Sequence, residues 1–370
     1  MADRAQDERF MAEALRVAHR NLGATGSNPS VGCVIVRDDG NGPRIIGSAV
    51  TAVGGRPHAE TQALTIAGEA ARGATAYVTL EPCSHHGKTP PCADALAAAG
   101  IARVVVAVTD PDERVSGRGL TILRDAGIVV DTGVLQDEGE RELEGYLMRK
   151  RNNRPYVTLK LAVSADGMIG IKGQGQIRIT GSAARDYVQH LRAETDAILV
   201  GIGTAIADDP KLTCRIPGLE ARSPLRVVID SELDLPTTSK LAQTARTVPV
   251  LAVSGRQNGS VTYAARREAL EALGVEVVVC NPAEPADLLG ALASRGISSL
   301  LVEGGARTAQ RFLNAGLVDR ILLFTGPATL GEEGVSSPFD RHLIPVGFVH
   351  RQTITFGEDL LDTCEYERTS

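Results

Sequence analysis

Pro57-His58-Ala59-Glu60 opens, and Glu81-Pro82-Cys83-Ser84-His85-His86-Gly87-Lys88-Thr89-Pro90-Pro91-Cys92 closes, the stretch on which the rest of this chain depends. One imidazole, His58, and two thiols, Cys83 and Cys92, are three good zinc ligands. A catalytic zinc keeps three protein ligands and leaves its fourth position to water. Glu60 lies two residues past His58, near enough to reach that water without binding the metal. The same stretch sets the fold. An alanine-rich helical pattern runs from His58 to Arg72 and is broken by Gly73, and a strand pattern follows at Ala76–Leu80. Cys92–Ala99 reads as a second helix and Arg103–Thr109 as a further strand. Helices alternating with strands predict an α/β sandwich. His58, Glu60 and Cys92 are then expected at helix starts, where partial positive charge favours thiolate and neutral imidazole.

The pattern H-x-E followed by P-C-x-x-C marks zinc-dependent nucleobase deaminases. Here the second half is stretched, with eight residues between the two cysteines. A structural zinc site is the competing reading, since His85 or His86 could supply a fourth ligand. That reading leaves Glu60 without a role.

Outward from this stretch, Arg9–Leu22 has helical spacing of apolar residues, Val31–Arg37 reads as a buried strand, and Arg44–Val50 as its neighbour across Asp38–Gly42. Gly119–Ala126 and Ile128–Asp131 continue the helix–strand alternation. The chain has 370 residues, 43% hydrophobic and 23% charged, which predicts two soluble globular domains. No apolar run is long enough to span a bilayer, and the first residues lack the apolar block of a secretory signal, so the expected place is the cytoplasm. Cys33, Cys214, Cys280 and Cys364 are scattered and read as buried small residues, not as a disulfide framework. A net charge of −6 argues against nucleic acid as a partner. The basic run Met148–Arg154 is too short to reverse this, and it reads as a solvated linker.

From Arg154 the pattern restarts with a strand at Pro155–Ser164 and a turn at Asp166–Gly170. Thr180-Gly181-Ser182 caps a helix to Ala193, which carries Arg185 and Arg192 on one face. Further strands are expected at Ala197–Val200, Leu225–Ile229, Val248–Val253, Val275–Val279 and Arg320–Thr325. Gly201-Ile202-Gly203-Thr204 and Glu303-Gly304-Gly305 are glycine-rich strand ends leading into helices, where amide N–H groups can meet phosphate. The first lacks the third glycine of a dinucleotide-binding fingerprint, and a plain tight turn reads equally well.

Together these pieces resemble the bifunctional riboflavin biosynthesis proteins. In the first half the matching segments are Asn28–Val36, His58–Glu60, Glu81–Cys92 and Asp110–Gly119. In the second they are Lys160–Gly167, Thr180–Arg185, Asp196–Gly201, Thr204 with Asp208–Thr213, Arg215 and Val302–Gly305. The resemblance implies a cytidine-deaminase-like three-layer α/β/α domain over 1–147 and a dihydrofolate-reductase-like α/β domain over 155–370. It implies a Zn²⁺-dependent deamination of a phosphorylated pyrimidine, followed by NADPH reduction of its ribosyl group, in a homo-oligomer that is a dimer through the reductase domain or larger. By resemblance, Asn28, Lys88 and Asp110 hold the pyrimidine and its sugar phosphate. Ala162, Thr204, Asp208, Ser231, Gly304 and Gly305 bind NADPH. Lys160 lies near the reacting carbon, and Arg192, Leu212, Arg215 and Glu303 hold the substrate, with the arginines on its phosphate. Three positions depart from the family. Thr51 replaces a histidine, Asp112 an asparagine, and Arg178 a tryptophan. A paralogue acting on a related pyrimidine, or a deaminase joined to a ligand-sensing reductase-like domain, would share most of these residues.

Overall fold

A computed structural model of the chain describes residues 4–84, 90–112, 115–255, 260–281 and 283–367. The chain divides into two compact units, Met1–Asn152 and Asn153–Ser370.

In the first unit the order is α1 (Arg4–Ala18), β1 (Gly32–Asp38), β2 (Pro43–Val50), α2 (Ala59–Ala67), β3 (Thr75–Leu80), α3 (Cys92–Ala98), β4 (Arg103–Val108), α4 (Arg118–Asp125), β5 (Val129–Thr132), α5 (Gln136–Glu142) and α6 (Glu144–Asn152). The strands form one sheet in the order β2-β1-β3-β4-β5. β1 is antiparallel to β2 and β3, while β3, β4 and β5 run parallel. The near-continuous valine and isoleucine runs of β1 and β4 are buried, as expected of strands covered on both faces. The first helix begins five residues before the expected Arg9, because Asp7 is drawn inside by Tyr77 and Arg103, whose side chains donate to its carboxylate at 2.7–2.8 Å. His58 is the extended residue before α2, one position outside the expected helix, and Glu60 lies in its first turn. The basic run Met148–Arg154, expected as a linker, instead carries helix α6 as far as Asn152. Tyr146, Leu147 and Met148 are buried and anchor it.

The second unit contains β6 (Tyr156–Val163), β7 (Met168–Ile171), α7 (Ser182–Ala193), β8 (Ala197–Gly201), α8 (Ile202–Asp208), β9 (Leu225–Ile229), α9 (Lys240–Gln243), β10 (Val250–Ser254), α10 (Val261–Ala272), β11 (Glu276–Val279), α11 (Pro285–Ser294), β12 (Ser299–Val302), α12 (Ala306–Asn314), β13 (Arg320–Thr325), β14 (Gly334–Ser336), β15 (Phe348–Phe356) and β16 (Asp359–Tyr366). Nine strands pair in the order β11-β10-β9-β8-β12-β6-β13-β16-β15, and β14 pairs with β7 separately. All are parallel from β11 to β13, and the last two close the sheet as an antiparallel hairpin. The carboxyl ends of β8 and β12 therefore lie side by side, the place where open α/β sheets bind ligands. No helix among the described residues is long and apolar enough to cross a membrane.

Candidate active sites

His58, Cys83 and Cys92 are brought together as a single cluster in the first unit, their ligand atoms all within 4.8 Å of one another. His58 Nδ1 lies 3.7 Å from Cys83 Sγ and 3.4 Å from Cys92 Sγ. A tetrahedral zinc with Zn–S near 2.3 Å and Zn–N near 2.0–2.1 Å sets N···S separations of about 3.6 Å, so this donor set has the size of a zinc site. The protonation pattern agrees. The Cys92 thiol contact, followed by the His58 contact and the Cys92 backbone amide, holds Cys83 down at about 4. The same contact pushes Cys92 up. The hydrogen bond that His58 makes to Cys83 raises His58. Three groups sharing protons in this way release them when a divalent cation takes their place.

Glu60 is buried on the same cavity, about 300 Å³ in volume, which is lined also by Asn28, Thr51, Arg56, Glu81, Asp110, Asp112, Tyr146, Arg149 and Lys150. Burial first, then the negative charge of Cys83, pushes Glu60 up to about 7. A carboxyl there is poised to take up and release a proton near neutral pH.

Glu81 organises the loop that faces the ligands. It is buried, and its carboxylate accepts the amide N–H groups of Asp110 (3.3 Å), Gly117 (3.1 Å) and Gly119 (3.1 Å). Gly119 fits because a Cβ there would lie 2.0 Å from the Pro82 carbonyl oxygen. Asp110 in turn accepts the Asp112 amide at 2.9 Å and the Tyr146 hydroxyl at 3.0 Å on each oxygen. Burial pushes Asp110 up. Asp112, at the position of the family's asparagine, is matched by Lys150 at 2.7 Å. Thr51 is buried, and its hydroxyl accepts the Val31 amide at 3.0 Å. Asn28 also lines the cavity. Lys88, His85 and His86 lie outside the described residues. Tyr146, Arg149, Lys150 and Glu81 were not found by sequence reasoning. The spacing 146, 149, 150 is the signal that was available for the first three.

In the second unit, Lys160, Arg192, Arg215 and Glu303 form one charge cluster. Arg192 gives two guanidinium N–H groups to Glu303, at 3.0 and 2.9 Å, and a third to the Thr213 carbonyl at 3.3 Å. Lys160, on β6 and over the Phe324 ring, is held below its ordinary value by burial, while the Glu303 charge opposes that fall. Burial, then the Arg192 charge, lowers Arg215. Burial pushes Glu303 up, but Arg192 and Lys160 outweigh it and the net shift is downward. Ala162 lies two residues along β6 from Lys160, on the same face of the strand.

The two glycine-rich turns are linked, because the Thr204 hydroxyl accepts the Gly305 amide at 3.1 Å. Gly304 is required by close packing, since a Cβ would meet the Thr308 side chain at 2.5 Å. Leu212 is buried with φ +52°. Ser231 follows β9 and is exposed, its carbonyl accepting the Gly255 amide at 3.3 Å. The Asp208-Asp209 pair divides its work. Asp209 accepts the Lys240 amide at 2.8 Å and fixes α9, whereas burial pushes Asp208 up.

Comparison with known proteins follows this division. The description "Cytidine and deoxycytidylate deaminase zinc-binding region" matches residues 4–108, and "RibD C-terminal domain" matches 155–361. Riboflavin biosynthesis protein RibD of Escherichia coli is 41% identical over 89% of both chains, and that of Aquifex aeolicus 40% identical over 88% of both. The structure of Acinetobacter baumannii RibD is 36% identical with a TM-score of 0.87, covering 99% of this chain and 100% of that one. A Thermotoga maritima structure described as a diaminohydroxyphosphoribosylaminopyrimidine deaminase/5-amino-6-(5-phosphoribosylamino)uracil reductase is 31% identical with a TM-score of 0.84, covering 98% and 99%.

Proposed function

Because this chain belongs to the RibD family of bifunctional riboflavin biosynthesis proteins, we propose that its two units carry out the family's two reactions in turn, with the residues described above in the following roles. The first unit hydrolyses the 2-amino group from 2,5-diamino-6-(5-phosphoribosylamino)pyrimidin-4-one. The second reduces the ribosyl group of the product to ribityl with NADPH. The observation that carries the first assignment is the His58–Cys83–Cys92 cluster sharing a cavity with buried Glu60.

His58, Cys83 and Cys92 would hold the zinc, which, when bound, supplies a Lewis acid that makes water reactive near neutral pH. Glu60 takes the proton of the water that adds to C2 and passes it to the ring nitrogen. It then serves the departing ammonia, so that water is consumed and ammonia released. Asn28, Lys88 and Asp110 orient the substrate, and Glu81 keeps Asp110 at the cavity by holding the loop amides.

In the second unit, NADPH supplies the hydride that reduces C1′. Ala162, Thr204, Asp208, Ser231, Gly304 and Gly305 would bind it, the linked turns at β8 and β12 offering amides to its phosphates. Lys160 would sit beside the reacting carbon, with Leu212 and Glu303 shaping the substrate side. Arg192 already spends donors on Glu303 and Thr213, which leaves Arg215 the larger share of the substrate phosphate. A cytoplasmic homo-oligomer, dimeric through the reductase unit or larger, completes this reading, and sedimentation of the purified chain tests the assembly.

The purified chain incubated with the diaminopyrimidine substrate should release ammonia without NADPH, and should consume NADPH only after deamination. Oxidation of NADPH without prior ammonia release, or neither event, would refute the assignment.

A further inference from the structure

In the second unit, the segment Lys211–Arg215 carries Leu212 and Arg215 yet belongs to no helix or strand. Main-chain groups withdrawn from water need partners, and here side chains from elsewhere in the unit supply them. Arg226, on β9, donates to the Lys211 carbonyl at 3.2 Å, and Arg192, on α7, donates to that of Thr213 at 3.3 Å. The Cys214 amide donates to the Ser223 hydroxyl at 3.1 Å. The Arg215 amide donates to the side-chain oxygen of Gln189, also on α7, at 3.0 Å.

Gln189 and Arg192 are three residues apart on α7 and share one face of that helix. Both are buried. Helix α7 therefore holds the segment at Thr213 and again at Arg215. Burying a glutamine amide costs free energy unless it is hydrogen-bonded, and a position filled for packing alone would be apolar, as the neighbouring Val188 is. Arg215 itself is exposed, and Arg192 and Glu303 act on its charge in opposite senses. A long guanidinium side chain loses rotamer freedom when it settles on a ligand. A main-chain bond at its own residue fixes the point from which it reaches, so that only the side chain is left to order.

We propose that Gln189 is a positioning residue of the reductase, setting the reach of Arg215 through its main chain and thereby the preference of the site for phosphorylated substrate. This rests on the reading above in which Arg215 holds the substrate phosphate. It adds a specificity element from a residue that touches neither substrate nor cofactor in that reading and lies 26 positions before Arg215 in the chain.

The test uses the full-length chain. Gln189→Met keeps the length of the side chain and removes the acceptor. NADPH oxidation is measured on supplied deaminated substrate and on its dephosphorylated riboside, in the wild type, in Gln189→Met, in Arg215→Ala and in the double variant. In Gln189→Met, KM for the phosphorylated substrate should rise about threefold to tenfold, the loss of one neutral hydrogen bond. kcat, riboside turnover and NADPH affinity should change little. On the Arg215→Ala background the same change should add less than about twofold, because the two residues act as one unit. Should Gln189→Met lose NADPH binding, Gln189→Asn, which withdraws the acceptor by one carbon, carries the same measurements. Equal losses on both substrates, an unchanged KM, or full additivity with Arg215→Ala would overturn the proposal while leaving Arg215 in place. If Arg215→Ala itself failed to separate the two substrates, the phosphate reading of Arg215 would fall, and this proposal with it.

Discussion

Replacing Glu303 by glutamine keeps the shape of the charge cluster in the second unit and unbalances its charge. Glu303 and Arg192 are 11% and 10% exposed at their side chains and are joined by two hydrogen bonds of 3.0 and 2.9 Å. Lys160 is half-buried and feels the charge of the same carboxylate. Removing one partner of a buried pair costs about 3–5 kcal/mol, because the other charge is left without compensation. Glutamine keeps one acceptor oxygen, so the lower end applies. At about 2–4 °C per kcal/mol for a domain of this size, the thermal transition of the second unit should fall by roughly 6–12 °C.

The deficit should also depend on pH. Glu303 has a folded pKa below its ordinary value, so its stabilisation is present above the unfolded carboxylate value and lost as pH falls through the folded one. Lys160 behaves in the opposite way. Burial depresses its folded pKa, and loss of Glu303 depresses it further. The variant's deficit should therefore be full at neutral pH. It should shrink as pH rises towards the ordinary lysine value of about 10.4, where the unfolded chain also loses the proton. Differential scanning calorimetry across pH reads both limbs. Pairing Glu303→Gln with Arg192→Met should cost less than the sum of the single changes, because the two residues act as one unit. A shift below 2 °C, or strict additivity, would refute the charge-pair argument.

Three further predictions address the other assigned residues. Cys83→Ser should lose most of its zinc by metal analysis and with it deamination, while full retention would point to a ligand outside the His58–Cys83–Cys92 set. Glu60→Gln should keep zinc but lose roughly two to four orders of magnitude in ammonia release, with reduction of supplied deaminated substrate unchanged in steady-state assays. Arg215→Ala should lower kcat/KM for phosphorylated reductase substrate about ten- to a hundredfold and spare a dephosphorylated analogue, and equal effects on both would remove Arg215 from the phosphate.

The zinc-ligand motif was legible because His58, Cys83 and Cys92 are specified by residue type and short spacing, and most strands because their β-branched runs are buried whole. Helix α6 was not. Met148–Arg154 has four basic residues and an Asn152-Asn153 pair, and its buried side, Tyr146–Met148, is too short to show a helical period. The closing hairpin of β15 and β16 was also unread. The mixed exposure of Phe348–Phe356 leaves little hydrophobic alternation, and β16 acquires its buried face only by pairing with β13. Glu81 and the Arg192–Glu303 pair were beyond reach for a different reason. Their roles depend on partners 29–38 and 111 positions away in the chain, and only the fold brings those partners together.

Once those partners are visible, the buried and half-buried carboxylates separate by what they accept. Glu81 takes three amides, Asp196 takes those of Ser298 and Ser299, and Asp230 takes those of Asp234 and Leu235. In such groups fixed N–H donors replace water and tie loops to the sheet. Glu60 is as deeply buried as Glu81, but its carboxyl has its own backbone amide and the Cys92 thiol as partners, and burial still carries it up to about 7. With a divalent cation held by His58, Cys83 and Cys92, Glu60 would feel an opposing positive charge that favours its carboxylate form. Once a proton has arrived, the same burial favours the acid. A carboxylate held by several amides would resist that change, whereas Glu60 can make it in both directions, as hydrolytic removal of an amino group requires.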